Sequence, residues 1–299
     1  MKVKYFVAAV AAVILIVQMP AQAGEAWIRS TEMQWGDVGA HGPGTAAKVL
    51  LSKENGFLDD RIRVMLLVKV APGGEYRPSG SLEEDYAVFV ARGAGQVSLK
   101  GNAMEAKPGD SYGIPAGIAH SLRNTGSEPI ELVVYAAPVT AINPEAKPVI
   151  GKIRDMEWQV NDTHGPGCEL KMVLGRGFSK IIRGMWVMKV GPGGLNYMHS
   201  GGEHQLFYIW EAPVPNPTPR DDRTAAGWFI LKDKAVQTVA GDAFYAGGAP
   251  ARDKHAFFNE SHDAALTYLA IGVPVPAEGL RLKTRGSVVS EQQRRELGE

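Results

Sequence analysis

Cysteine is almost absent from this chain: Cys168 is the only one in 299 residues, so no intrachain disulfide can form and stability rests on packing. An excess of either charge is also missing, since Lys and Arg total 32 and Asp and Glu total 32. Such a balance gives no basic footprint for nucleic acid and no pull toward an anionic membrane. Long apolar runs are missing beyond the first two dozen residues, and the one near the start, 5–17, is shorter than the roughly 20 residues that cross a bilayer. No nucleophile–base triad and no phosphate-cradling glycine loop can be found. Long helical periodicities are few.

The opening residues have the order of a secretory leader. Lys2 and Lys4 precede the apolar run, and Ala21-Gln22-Ala23 forms a small-x-small cleavage site before Gly24. Residues 1–23 therefore read as a signal peptide, and the mature protein is expected in the periplasm or outside the cell, free of the membrane. No cysteine follows the cleavage site to carry a lipid anchor. Loss of the leader leaves 30 basic against 32 acidic residues. Cys168 reads as a small buried hydrophobe.

What the chain does have is turn residues, with 35 glycines and 19 prolines, and a repeat. Met33-Gln34-Trp35, His41-Gly42-Pro43-Gly44 and Lys48-Val49-Leu50 recur as Met156-Glu157-Trp158, His164-Gly165-Pro166-Gly167 and Lys171-Met172-Val173-Leu174. Arg63 through Lys69-Val70-Ala71-Pro72-Gly73-Gly74 recurs as Arg183 through Lys189-Val190-Gly191-Pro192-Gly193-Gly194. Two homologous domains follow, 24–142 and 148–276, with a linker at 143–147 and a charged tail at 277–299. Short apolar runs at 64–70, 86–91, 96–100 and 130–136 read as strands between Gly/Pro breaks. In the second copy a Pro-rich insertion separates Trp210 from Trp228. The His-Gly-Pro-Gly segments read as turns, and Trp35 and Trp158 as packing residues.

The motifs resemble those of the cupin superfamily, and their duplication resembles the bicupins. Gly109, Pro115, Gly117, His120 and Asn124 match the family's second motif G-x5-P-x-G-x2-H-x3-N in full. Gly241, His255 and Asn259 keep part of it in the second copy. The resemblance implies an all-β fold of two tandem cupin barrels (double-stranded β-helix, jelly-roll).

It also implies a metal, a divalent transition ion of the Fe, Mn, Ni, Cu or Zn kind, held by His and Glu of the first motif and His of the second. In the second copy His199 and His255 stand at such positions, Gly201 replaces one His, and Gln205 replaces the Glu. Strand parity brings Glu203 to the same face and turns His204 outward. The expected metal set is therefore His199, His255, Gln205 and Glu203. In the first copy only His120 remains, and His120, Asp85 and Tyr86 are expected to line a ligand-binding barrel. Tyr112, Tyr197, Tyr208 and Tyr245 fall near the two mouths by motif position. The activity implied is metal-dependent chemistry on a small oxygen-rich or carboxylate substrate, of dioxygenase, decarboxylase or isomerase type. The alternative is a non-catalytic periplasmic small-molecule binder or accessory protein. Strand exchange in the family also implies homo-oligomers.

Overall fold

The computed structural model describes residues 27–36, 41–52, 64–78, 82–161, 164–200, 203–213, 227–247 and 253–274. The expected leader, the Pro-rich insertion beyond Pro213, the tail, Arg63 and Gly201 lie outside them. The first half runs through β1 (Trp27–Arg29), β2 (Thr45–Ser52), β3 (Val64–Val70), β4 (Glu75–Tyr76) and β5 (Glu84–Arg92). It continues through β6 (Gly95–Leu99), β7 (Asn102–Ala106), β8 (Asp110–Ile114), β9 (His120–Arg123) and β10 (Ile130–Pro138). The second half repeats the series: β11 (Val149–Lys152), β12 (Gln159–Val160), β13 (Cys168–Leu174), β14 (Gly184–Val190), β15 (Leu195–His199) and β16 (His204–Glu211). It closes with β17 (Gly227–Leu231), β18 (Lys234–Thr238), β19 (Asp242–Ala246), β20 (His255–Asn259) and β21 (Leu266–Val273).

Each half folds as a barrel of two facing sheets. The first has a six-stranded sheet, β11-β8-β5-β10-β3-β2, and a four-stranded sheet, β4-β9-β6-β7. The second has a seven-stranded sheet, β1-β19-β16-β21-β14-β13-β12, and a four-stranded sheet, β15-β20-β17-β18. Its opening strand β1 belongs to the other half of the sequence. β1 pairs with β19 (Trp27 opposite Phe244, Arg29 opposite Asp242), and β11 pairs with β8 (Lys152 opposite Asp110). The two halves thus exchange their leading strands within one chain.

The two large sheets are apolar on both faces, which is why their strands read as nearly continuous hydrophobic runs. In β5, Tyr86, Val88 and Val90 point into the first barrel, while Ala87, Phe89 and Ala91 join the core between the barrels. In β16, Phe207 and Ile209 fill the second barrel, while Leu206 and Tyr208 enter the shared core.

The repeated residues account for this architecture. Lys48 donates to the carbonyl of Ser30 at 2.7 Å and lies 4.4 Å over the ring of Trp35, which Lys69 also covers. In the second copy Lys171 donates to the carbonyl of Ile153 at 2.9 Å and shares Trp158 with Lys189. Both tryptophans therefore clamp the exchanged strands, as packing residues. Acidic residues face the same strands: Arg29 pairs with the fully buried Asp242, and Arg154 with the fully buried Asp110.

The motif asparagines are structural as well. Asn124 donates to the carbonyls of Val70 and Glu128 and accepts from the amide of Gly126. Asn259 donates to Val190, Gly191 and Ala264 and accepts from the amide of Ser261. Each ties its Pro-Gly-Gly turn to the loop after the motif. The His-Gly-Pro-Gly segments are turns, with Gly42 and Gly44 at φ +105° and +71° and Gly165 and Gly167 at +114° and +75°. A side chain is strained in that left-handed region.

Candidate functional site

The first barrel opens to solvent through a pocket of about 390 Å³ whose lining includes Glu75, Arg77, Glu84, Tyr86, Ser121 and His120. Alternation along β5 decides which acidic residue enters. Glu84 and Tyr86 share a face, and the Tyr86 hydroxyl donates to the Glu84 carboxylate at 2.5 Å. Asp85 points the other way: its carboxylate accepts from the amide of Ala116 at 2.8 Å and fixes that turn. His120 and Tyr86 are thus brought together, with rings 5.1 Å apart, whereas Asp85 lies outside the cavity lining and Glu84 stands inside. His120 Nδ1 lies 3.1 Å from the carbonyl of Ile118, which can only accept, so Nδ1 carries the proton. Nε2 is then a bare acceptor, buried and without a hydrogen-bond partner. Burial lowers the pKa of His120, so the ring is neutral.

The second barrel is differently furnished. Phe207, Phe229, Phe244, Phe257 and Tyr268 fill its interior. His255, on β20, sits against this aromatic layer, 5.1 Å from Phe207, and His199 on β15 lies 4.5 Å from His255, ring to ring. Both rings are oriented by their own strands: His199 Nδ1 is 2.7 Å from the carbonyl of Tyr197, and His255 Nδ1 is 3.3 Å from that of Asp253. Each Nε2 is then the lone-pair nitrogen. Burial, reinforced by His199 nearby, pushes the pKa of His255 down to about 4, so it is neutral at physiological pH.

Gln205 shares its parity with Phe207, and its Oε1 is buried with no hydrogen-bond partner. Glu203 also turns to the interior face, where a side chain on Gly272 would strike its carboxylate. That carboxylate is engaged by Arg183, Nη1 to Oε2 at 2.9 Å. The structure therefore pairs His199 with His255 and leaves Glu203 committed elsewhere. Among the described residues no group of three or more His, Cys, Asp or Glu stands as a metal cage.

Several residues differ from the sequence expectation in an informative way. His164, read as part of a turn, also places its ring 4.8 Å from His199. The recurrence of His-Gly-Pro-Gly was the only signal for it, and its partner His41 instead lies near Tyr76, 5.9 Å between rings. Of the four tyrosines, Tyr112 lies inside the first barrel, Tyr208 is in the shared core, Tyr245 bonds to His204, and Tyr197 is exposed. The bond to Tyr245 also accounts for His204, which points away from the barrel interior.

The geometry defines a class: an all-β protein of two double-sheet barrels that carry histidines at their mouths. Residues 66–135 match the model of the cupin domain, whereas no curated protein matches the sequence. Similar solved structures include protein Ylba from E. coli, with 15% identity, 83% of this chain and 89% of that one covered, and a TM-score of 0.63. AerE from Microcystis aeruginosa is similar at 14% identity, covering 81% and 97%, with a TM-score of 0.59. A variant of Bacillus subtilis oxalate decarboxylase is similar at 13% identity, covering 88% and 85%, with a TM-score of 0.60. At such identities the likeness is one of fold, and that fold is the cupin barrel in tandem.

Proposed function

We propose that this protein is exported to the periplasm or the exterior and that its second barrel acts, with a divalent transition metal, on a small oxygen-rich or carboxylate-bearing molecule. One observation carries the reading: His199 and His255 adjoin at 4.5 Å, each with Nδ1 turned to a backbone carbonyl and Nε2 left with its lone pair to bind a metal. Two imidazole Nε2 atoms and the unpartnered amide oxygen of Gln205 fit a cation of the Fe, Mn, Ni, Cu or Zn kind. The third donor is then an amide and not Glu203. Such a cation, when bound, polarises a substrate oxygen or activates dioxygen.

The remaining work belongs to the chain. Arg183, held by Glu203 and partly exposed, offers the rest of its guanidinium to a substrate carboxylate. Phe207 and Phe229, packed against the ring of His255, keep water out from below. Dioxygenase, decarboxylase and isomerase chemistry all use these parts.

Metal analysis of the mature protein, begun at Gly24 and isolated from the periplasm, tests the proposal. It expects an equimolar metal that is lost in His199→Ala and His255→Ala and kept in His120→Ala. Protein that stays metal-free after exposure to each of the five ions would overturn it. The second reading, a small-molecule binder or accessory protein, is favoured by the cavity of the first barrel. Metal-free protein whose melting temperature rises with a small ligand would support that reading.

A further inference from the structure

We infer that His164, from the turn that leads the second copy, is a positioning residue of the second-barrel site. Its imidazole holds that of His199 in the orientation that turns Nδ1 to the carbonyl of Tyr197 and leaves Nε2 bare. The role serves the metal site proposed above, but the ring contact itself involves no metal. Strand β15 alone restrains His199 little. Before it the strand is anchored, because the buried Asn196 donates to the Tyr268 hydroxyl at 2.7 Å. The β15–β20 ladder then loses its regular register between Asn196 and His199, which stands opposite His255. His199 is only partly buried, and its ring bonds to its own strand, two residues back. A bond that local leaves the rotamer to be settled by what packs against the ring.

His164 packs there. Its ring meets that of His199 edge to face, at 4.8 Å and 85°, a favoured geometry for aromatic pairs. The turn itself delivers it. The His164 amide donates to the carbonyl of Asn161 at 2.9 Å. Gly165, at φ +114°, lies so close to β15 that a Cβ would stand 2.2 Å from the Leu195 carbonyl oxygen and 3.3 Å from the ring of Tyr197. Only glycine permits that approach. The first copy makes the same turn, with Gly42 against the carbonyl oxygen of Glu75. There, however, His41 is buried beside Tyr76, 5.9 Å between rings. The turn is shared by both copies, whereas the half-buried His164 is directed to a site histidine.

Nitrogen-15 spectra of the histidine side chains in metal-free mature protein, taken at about pH 8 where imidazoles are neutral, test the role first. His199 is expected as a single tautomer, protonated at Nδ1, in wild type and in His164→Phe, which keeps the ring contact. In His164→Ala it becomes a mixture of tautomers. If His164→Ala does not fold, a through-space contact between the ring protons of His164 and His199 in wild type still decides. Zinc affinity by chelator competition follows: His164→Ala weakens it at least about tenfold, His164→Phe stays within about threefold of wild type, and His41→Ala changes nothing. Wild type that takes no zinc removes this last arm and counts against the metal reading, while the metal-free spectra still decide the role of His164. An unchanged His199 tautomer in His164→Ala, a missing ring-to-ring contact, or His164→Phe as impaired as His164→Ala would each overturn the inference.

Discussion

Replacing Arg29 by Met should destabilise the protein in a manner that depends on pH. The Asp242 carboxylate is fully buried, and burial raises its pKa from 3.8 to about 6 despite the Val239 amide and Arg29. A carboxyl whose folded pKa is raised holds its proton more tightly in the folded state than in the unfolded one. Stability is then highest while it is protonated and falls as pH rises from about 4 to about 6, by roughly 3 kcal/mol. Arg29 limits that loss from across the exchanged strand, at 3.4 Å from Asp242 Oδ1.

With Arg29 removed above pH 7, a buried charge loses its partner, which costs about 2–3 kcal/mol, the low side of the usual range because Arg29 is partly exposed. Near pH 4.5 Asp242 is largely protonated. What is then lost is chiefly the bond from Arg29 to the carbonyl of Gln237 and its contact over the Trp27 ring, together worth about 1 kcal/mol. Urea denaturation of wild type and Arg29→Met at about pH 4.5 and about pH 7.5 should give a deficit that grows with pH. The same deficit at both would refute the reasoning, as would none at the higher pH.

Three further outcomes follow from the same contacts. Asn124→Ala and Asn259→Ala each strip several buried hydrogen bonds and should each cost about 3 kcal/mol in chemical denaturation, without moving metal content. Gly151→Ala drives a methyl into the carbonyl of Val173, where the exchanged β11 crosses the second barrel. It should cost more than about 3 kcal/mol or prevent folding, read as loss of soluble protein. Cys168 is buried, and desolvation raises its thiol pKa to about 11. Iodoacetamide should therefore leave it unmodified in native protein and label it in denaturant.

Much of the fold was legible because it is written twice. The paired Trp, Lys and Pro-Gly-Gly blocks gave the duplication, and Gly/Pro punctuation gave strands at 64–70, 86–91 and 130–136 that match β3, β5 and β10. The strand exchange was not legible. β1 and β11 are three and four residues long, and nothing in such short segments encodes which sheet edge they join. The charges facing them, Asp242 and Asp110, lie 213 and 44 positions from Arg29 and Arg154.

At the sites, parity was the useful guide and its neglect the main error. The rings of His199 and His255 adjoin at 4.5 Å. In the run Glu83-Glu84-Asp85, however, alternation with Tyr86 already selects Glu84 over Asp85 for the barrel interior. The engagement of Glu203 by Arg183 depends on a contact 20 positions apart, beyond any local pattern. His164 reaches His199 through the fold of a turn, and its spacing in the sequence carries no hint of that.

The proposed metal position lies in the second barrel, at His199 and His255. Crystals of the mature protein grown with a divalent transition ion, and anomalous scattering measured at that ion's absorption edge, test it most directly. A peak is expected within coordination distance of Nε2 of both His199 and His255, with Gln205 Oε1 turned toward it and none beside His120. A featureless map at the two histidines, or a peak in the first barrel instead, would contradict it.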